Sequence, residues 1–209
     1  MKVKKIKRIK QSPKLPAETR CEQLLKVSHE LFDKKGYRAT TLDEIGRGAG
    51  LTKGAVYHHF KNKEAIVLEL VRLILNVYKD GVREIPVGSL SPGDLISHLK
   101  KVDESIPRHR VKHNVSLLAE VIQIPKFRQA IDKGYTEFIE LCCRCLDPSL
   151  AKSKKELHQL TIMIVNFFDG LCWASFMYPK HIEFDKQASL FSSLFDEDKQ
   201  GKVKKQRGK

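Results

Sequence analysis

Between Thr40 and Lys63 the chain gathers groups suited to gripping a polyanion. They are the hydroxyls of Thr41 and Thr52, the cations Lys53 and Lys63, the phenol of Tyr57 and the imidazole of His58, with Gly54 among them. At this spacing they match DNA phosphates and base edges. Two short helices must position them. Thr41 followed three residues later by Glu44 is a capping box that starts the first. Leu42, Ile45 and Ala49 then share one face, at i, i+3 and i+7. Gly46 offers a smooth wall where a second helix crosses closely, and Gly50 supplies the positive φ that ends the first helix and turns the chain. Leu51 covers the turn and Thr52 caps the next helix, expected over 53–59, with Val56 and Phe60 facing inward. Thr52, Lys53, Gly54, Tyr57 and His58 remain on or near the outer side. An ordinary helical hairpin accounts for the apolar positions but not for Lys, Tyr and His outside so short a helix. Two short helices about a Gly-containing turn are the motif whose second helix enters the major groove.

Together with the helix before it, this stretch resembles the N-terminal domain of the tetracycline-repressor (TetR) family. The matching residues are Leu31-Phe32, Gly36-Tyr37, Thr40-Thr41, Ile45, Ala49-Gly50-Leu51-Thr52, Gly54-Ala55-Val56-Tyr57-His58-His59-Phe60 and Lys61-Asn62-Lys63-Glu64, about a quarter of the chain. Gly46 departs from the family's usual Ala, at about 1 kcal/mol of helix propensity, and preserves the close backbone approach. The resemblance implies an all-α, homodimeric, ligand-responsive transcriptional regulator, mostly a repressor, that binds double-stranded DNA. Thr41 and Lys63 are expected to hold phosphates. Thr52, Lys53, Gly54, Tyr57 and His58 are expected to face the groove.

The net charge of +14 is unevenly spread. Seven cations and no acid lie in residues 1–14, six and none in 199–209, leaving one net charge for the body. Two flexible basic tails are expected, adding salt-sensitive affinity for phosphates or only solubility. Five cysteines without a secretory signal point to a reducing cytoplasm. No apolar run is long enough for a membrane helix.

The rest of the sequence keeps a helical period. A first helix opens at Pro16 and Glu18 and ends at Gly36; Asn62 caps a long one from Lys63 to about Arg83. Further helices are expected near 92–105, 108–123, 125–146, 153–178 and 185–197. The domain reading is a basic arm over 1–15, a helix-turn-helix domain over 16–62, an effector and dimerisation domain over 63–198, and a basic tail over 199–209. The segment 157–178 is apolar around most of its circumference, and Leu190, Phe191, Leu194 and Phe195 stripe the last helix. A symmetric four-helix interface between two subunits is expected there, involving Ile164, Gly170 and Leu171 as well as that stripe. By resemblance, an effector pocket lies inside the C-terminal helices, with Phe127, Phe138, Phe167, Phe168 and Trp173 as candidate lining. Asp169, a carboxylate in an apolar helix, needs a partner there.

Other constellations are weaker. Cys142 and Cys145 form a C-x-x-C on one helix face without further zinc ligands nearby, so packing is the favoured reading. His109 and His113 stand among Arg108, Arg110 and Lys112, which repel a metal ion. The Gly46-Arg47-Gly48-Ala49-Gly50 run has no preceding strand and the wrong spacing for a nucleotide loop. No catalytic motif, metal site or cofactor is expected. The competing readings are a sequence-nonspecific DNA binder driven by its tails and a small-molecule enzyme or carrier that kept the fold.

Overall fold

The computed structural model describes residues 17–106, 117 and 119–206. Expectations for the arm at 1–15, for most of a helix over 108–123 and for His109 and His113 lie outside these residues. Described in order are α1 (Ala17–Lys35), α2 (Leu42–Gly48), α3 (Lys53–His59), α4 (Lys63–Arg83), α5 (Pro92–Ser105), α6 (Pro125–Cys145), a 3-10 turn (Pro148–Leu150), α7 (Lys154–Met177) and α8 (Phe184–Gln206). The only pairing between extended segments among the described residues is an isolated bridge between Leu90 and Leu146.

Local chemistry sets the boundaries. The Thr41 side chain accepts from the Glu44 amide while the Glu44 side chain accepts from the Thr41 amide, so two of the free donors at the start of α2 are satisfied. At its other end, Gly50 N–H donates to Arg47 O (3.1 Å) and Leu51 N–H to Gly46 O (2.8 Å). This is the Schellman pattern, and it requires the +65° φ found at Gly50. Thr52 accepts from the Ala55 amide at 3.3 Å, and Asn62 Oδ1 from the Ala65 amide at 2.8 Å, to open α3 and α4. Ser91 and Asp94 form a second capping box at α5, with Pro92 in its first turn.

The chain divides into two compact units. The first holds described residues 17–73, 117 and 119–130, and the second holds 74–106 and 131–206. The division falls inside α4 rather than before it, and 119–130 joins the first unit, unlike the expected boundary at 62/63. The reason is packing. Phe127 is fully buried and meets the Tyr37 ring edge-on at 5.9 Å, and Lys126 pairs with Glu64 at 3.2 Å. In the first unit α1 packs on α2 and α2 on α3, around Leu24, Phe32, Ile45, Val56, Phe60 and Ile66.

In the second unit α5 packs on α7 and α8, which also pack on each other. Its core joins Val82, Leu95, Ile96, Leu99, Phe138, Ile139, Cys142, Leu146, Leu157, Ile164, Val165 and Phe168. Lys100 of α5 ties down the start of α8, 2.6 Å from Asp185 and 5.2 Å from the Phe184 ring centre. The α8 backbone is helical to Gln206, which takes in residues 199–206 of the expected basic tail.

Gly50→Ala is expected to lower the unfolding free energy by about 1–2 kcal/mol, because a Cβ opposes the left-handed conformation the turn needs. Gly50→Asn should cost less. Urea denaturation of the three proteins checks this.

Candidate nucleic-acid interface

The angle between α2 and α3 comes from one close approach. A Cβ at Gly46 would stand 2.8 Å from Val56 Cγ2, and Val56 is fully buried. With Val56 and Phe60 turned inward, α3 presents Thr52, Lys53, Gly54, Tyr57 and His58 outward, all exposed. Tyr57 is 47 % exposed. Lys53 Nζ lies 5.8 Å from the Tyr57 ring centre and 3.6 Å from Asp43 Oδ1. Both contacts are solvent-facing and weak enough to be exchanged for a phosphate. At Gly54 a Cβ would meet nothing within 4 Å, so the fold itself does not demand glycine there. The structure therefore brings these five expected residues onto one open face.

It corrects two expected phosphate holders. Lys63 Nζ donates to Tyr37 O (2.6 Å), Thr40 O (2.7 Å) and Arg38 O (3.1 Å), and sits 4.3 Å from the Tyr37 ring centre. All three ammonium protons are used, and burial, only partly opposed by Glu120, lowers its pKa from the usual lysine value. Thr41 donates its amide (2.9 Å) and its hydroxyl (2.8 Å) to Glu44 Oε2. Neither residue has a donor left for DNA in this conformation. Exposed cations that do remain are Arg38, Arg47, Lys53 and Lys61. Arg38, Arg47 and Lys61 stand outside the recognition helix, where the sequence pattern marks no face.

Glu44 is the electrostatic centre of the α2 start. The Lys35 ammonium at 2.6 Å, with the Thr41 hydroxyl and amide, holds its carboxyl at about 2.

The effector and interface expectations divide. Phe127 belongs to the first unit's core, not to a pocket among the C-terminal helices. Phe138 and Phe168 are buried in the second unit's core, and Phe167 stacks on Phe191 at 4.0 Å. Asp169 is open to solvent yet closely hemmed by protein. Burial, then the nearby Asp103 carboxylate, lifts it from 3.8 to about 6. Around it, Tyr78 donates to Asp103 (2.9 Å) and Tyr135 to Asn166 (2.9 Å). Ile164 and Leu171 are also corrections. Both are buried within the unit, Ile164 fully and Leu171 to within 4 %. Gly170, Leu190 and Leu194 are exposed, Phe191 and Phe195 partly so. Met163, Trp173 and Met177 add to the exposed apolar surface of α7. The cysteine motif is packing. Cys142 and Cys145 are buried, burial pushes the Cys142 thiol up, and Cys145 Sγ donates to Leu141 O at 3.2 Å.

Residues 24–70 match the family described as bacterial regulatory proteins, tetR family. These residues form a TetR-family DNA-binding domain. Over 190 residues it is 23 % identical to the HTH-type transcriptional regulator AcrR of Shigella flexneri, covering 85 % of this chain and 87 % of that protein. To the HTH-type transcriptional repressor KstR2 of Mycobacterium tuberculosis it is 34 % identical over 91 residues, 43 % of this chain and 46 % of that one. Among solved structures, the regulator FadR of Bacillus subtilis in complex with stearoyl-CoA shares the fold at a TM-score of 0.56 and 18 % identity, over 83 % of this chain and 96 % of FadR. No helix among the described residues is long and apolar enough to cross a membrane.

The Glu44 carboxyl implies a pH dependence with a definite sign. Its folded pKa is depressed, so its contribution is present above the ordinary 4.5 and is lost as pH falls from there through about 2. Urea midpoints between pH 5 and pH 2 should fall less steeply for Glu44→Gln than for the wild type.

Proposed function

We propose that this regulator binds a twofold-symmetric operator as a homodimer, reads the major groove with α3, and is released by a small-molecule effector held in the second unit. One observation carries the DNA reading: Thr52, Lys53, Gly54, Tyr57 and His58 form an exposed face on a helix whose opposite side is buried. Tyr57 and His58 are placed against base edges. Lys53, Arg47 and Lys61 neutralise phosphates, and Gly54 lets the duplex backbone come close.

One seven-residue helix spans few base pairs, so two copies must act together, about 34 Å apart on one side of the duplex. The exposed Met163, Trp173 and Met177 of α7, with Leu190 and Leu194 of α8, support a subunit interface through these helices. An effector that contacts Asp169 and the surrounding phenols of Tyr78 and Tyr135 favours one dimer geometry over another and so shifts the population away from the operator-bound form. The KstR2 similarity supports regulation by repression, and the FadR complex with stearoyl-CoA supports the binding of an effector.

Selection of fragments from genomic DNA by the purified protein is expected to recover a palindromic sequence. Tyr57→Ala should weaken binding to it at least tenfold, the scale of one lost base or stacking contact. Recovery of fragments without shared sequence would contradict the proposal. Leu194→Glu places a charge in the proposed interface. Sedimentation should show a dimer for the wild type and a monomer for the variant, with operator binding lost alongside.

A further inference from the structure

The five-residue connection from α1 to α2, Gly36 to Thr40, is held by opposite charges on the two sides of its peptide groups. Lys63 takes the carbonyls of Tyr37, Arg38 and Thr40. Glu120 takes the amides: Tyr37 N–H donates to Oε2 at 2.8 Å and Arg38 N–H to Oε1 at 3.1 Å. The loop is otherwise fixed by buried groups. Thr40 is 1 % exposed and donates its hydroxyl to Gly36 O at 2.8 Å, and the Tyr37 ring is wedged edge-on against Phe32 and Phe127. Thr40 directly precedes the residue that caps α2, so the position of this loop sets where α2, and through it α3, begins.

Glu120 lies 50 residues beyond the end of the stretch that matches the family, and it touches none of the groups on the outer face of α3. We infer that Glu120 is a positioning residue for DNA recognition: its bidentate hold on the Tyr37 and Arg38 amides, opposed by Lys63 on the carbonyls, sets the stance of the recognition helix. A carboxylate is the required group. It has two acceptor oxygens and no donor, matching two adjacent amides, and charged acceptors make the stronger hydrogen bonds. The inference rests on the reading that α3 contacts the groove.

Simple electrostatics predicts the reverse of this inference, which makes the test decisive. Removing an anion near DNA should tighten binding to every duplex alike. A positioning role predicts that Glu120→Gln, nearly the same shape but with a donor NH2 facing one of the two amides, loses sequence preference instead. The experiment measures affinity for the operator recovered by the wild type and for a random duplex of equal length, over a series of salt concentrations. The expected result is about a tenfold fall in the ratio of operator to random-duplex affinity, with random-duplex affinity equal to the wild type or higher and an unchanged salt slope for the random duplex. Lys63→Met should also lower the ratio, and the double variant should lose far less than the product of the two single losses, because the two side chains share one loop. If Glu120→Gln does not fold, Glu120→Ala, which opens the amides to water, takes its place, with the helical circular dichroism and melting temperature compared to the wild type.

An unchanged ratio in a folded variant overturns the inference. So does a fall in ratio that the double variant multiplies in full. If the wild type itself prefers no sequence, the reading of α3 fails first, which is a separate outcome from failure at Glu120.

Discussion

The whole DNA-facing arrangement depends on how closely α2 and α3 approach at Gly46 and Val56. The approach leaves no room for a side chain at Gly46 without moving a fully buried valine. Protein interiors are close-packed, so the crossing that seats Val56 against Gly46 is a narrow choice. The Gly50 turn, the two threonine caps and the inward Val56 and Phe60 all agree with that choice. Seven residues of α3 would be far too short to persist alone in water. Their stability comes from this packing, and the outer face is left free for recognition because the inner face does the holding.

Electrostatics serves the same end in an unexpected way. The charged groups nearest the start of α2 are spent on the protein's own backbone. Glu44 is tied to Thr41 and Lys35, Lys63 to three loop carbonyls, and Glu120 to two loop amides. A buried or half-buried peptide group left unpaired costs about 1–3 kcal/mol, so these contacts outweigh the gain from an exposed phosphate contact in the free protein. The cations not spent in this way, Arg38, Arg47, Lys53 and Lys61, face solvent. On the proposed reading, that division separates the residues that shape the interface from those that meet DNA.

Most helix boundaries were legible in the sequence because their causes are local. Thr41 with Glu44, Gly50, Thr52 and Asn62 each act within four residues, and each stands where the spacing predicts. The exposed face of α3 was legible for the same reason. What escaped depends on contacts across the chain. Lys63 reads as a free cation at a helix start until the Tyr37–Thr40 carbonyls, more than 20 residues away, are seen around it. Phe127 reads as pocket lining until Tyr37 meets it, and no pattern marks Glu120 at all. In α7, apolar on most sides, periodicity cannot say which apolar residues face the core. Thr161, Ile164, Val165, Phe168 and Leu171 turn in, while Met163, Trp173 and Met177 turn out. The regular stripe on α8 splits similarly, with Phe191 against Phe167 and Leu190 and Leu194 outward.

The measurement that bears most directly on this account is a hydroxyl-radical footprint of the protein on its recovered site. Two α3 helices related by a twofold axis should protect two patches of backbone on one side of the duplex, centred about one helical turn apart, with the intervening outer face cleaved normally. A single protected patch, or even protection running around the whole duplex, would contradict it.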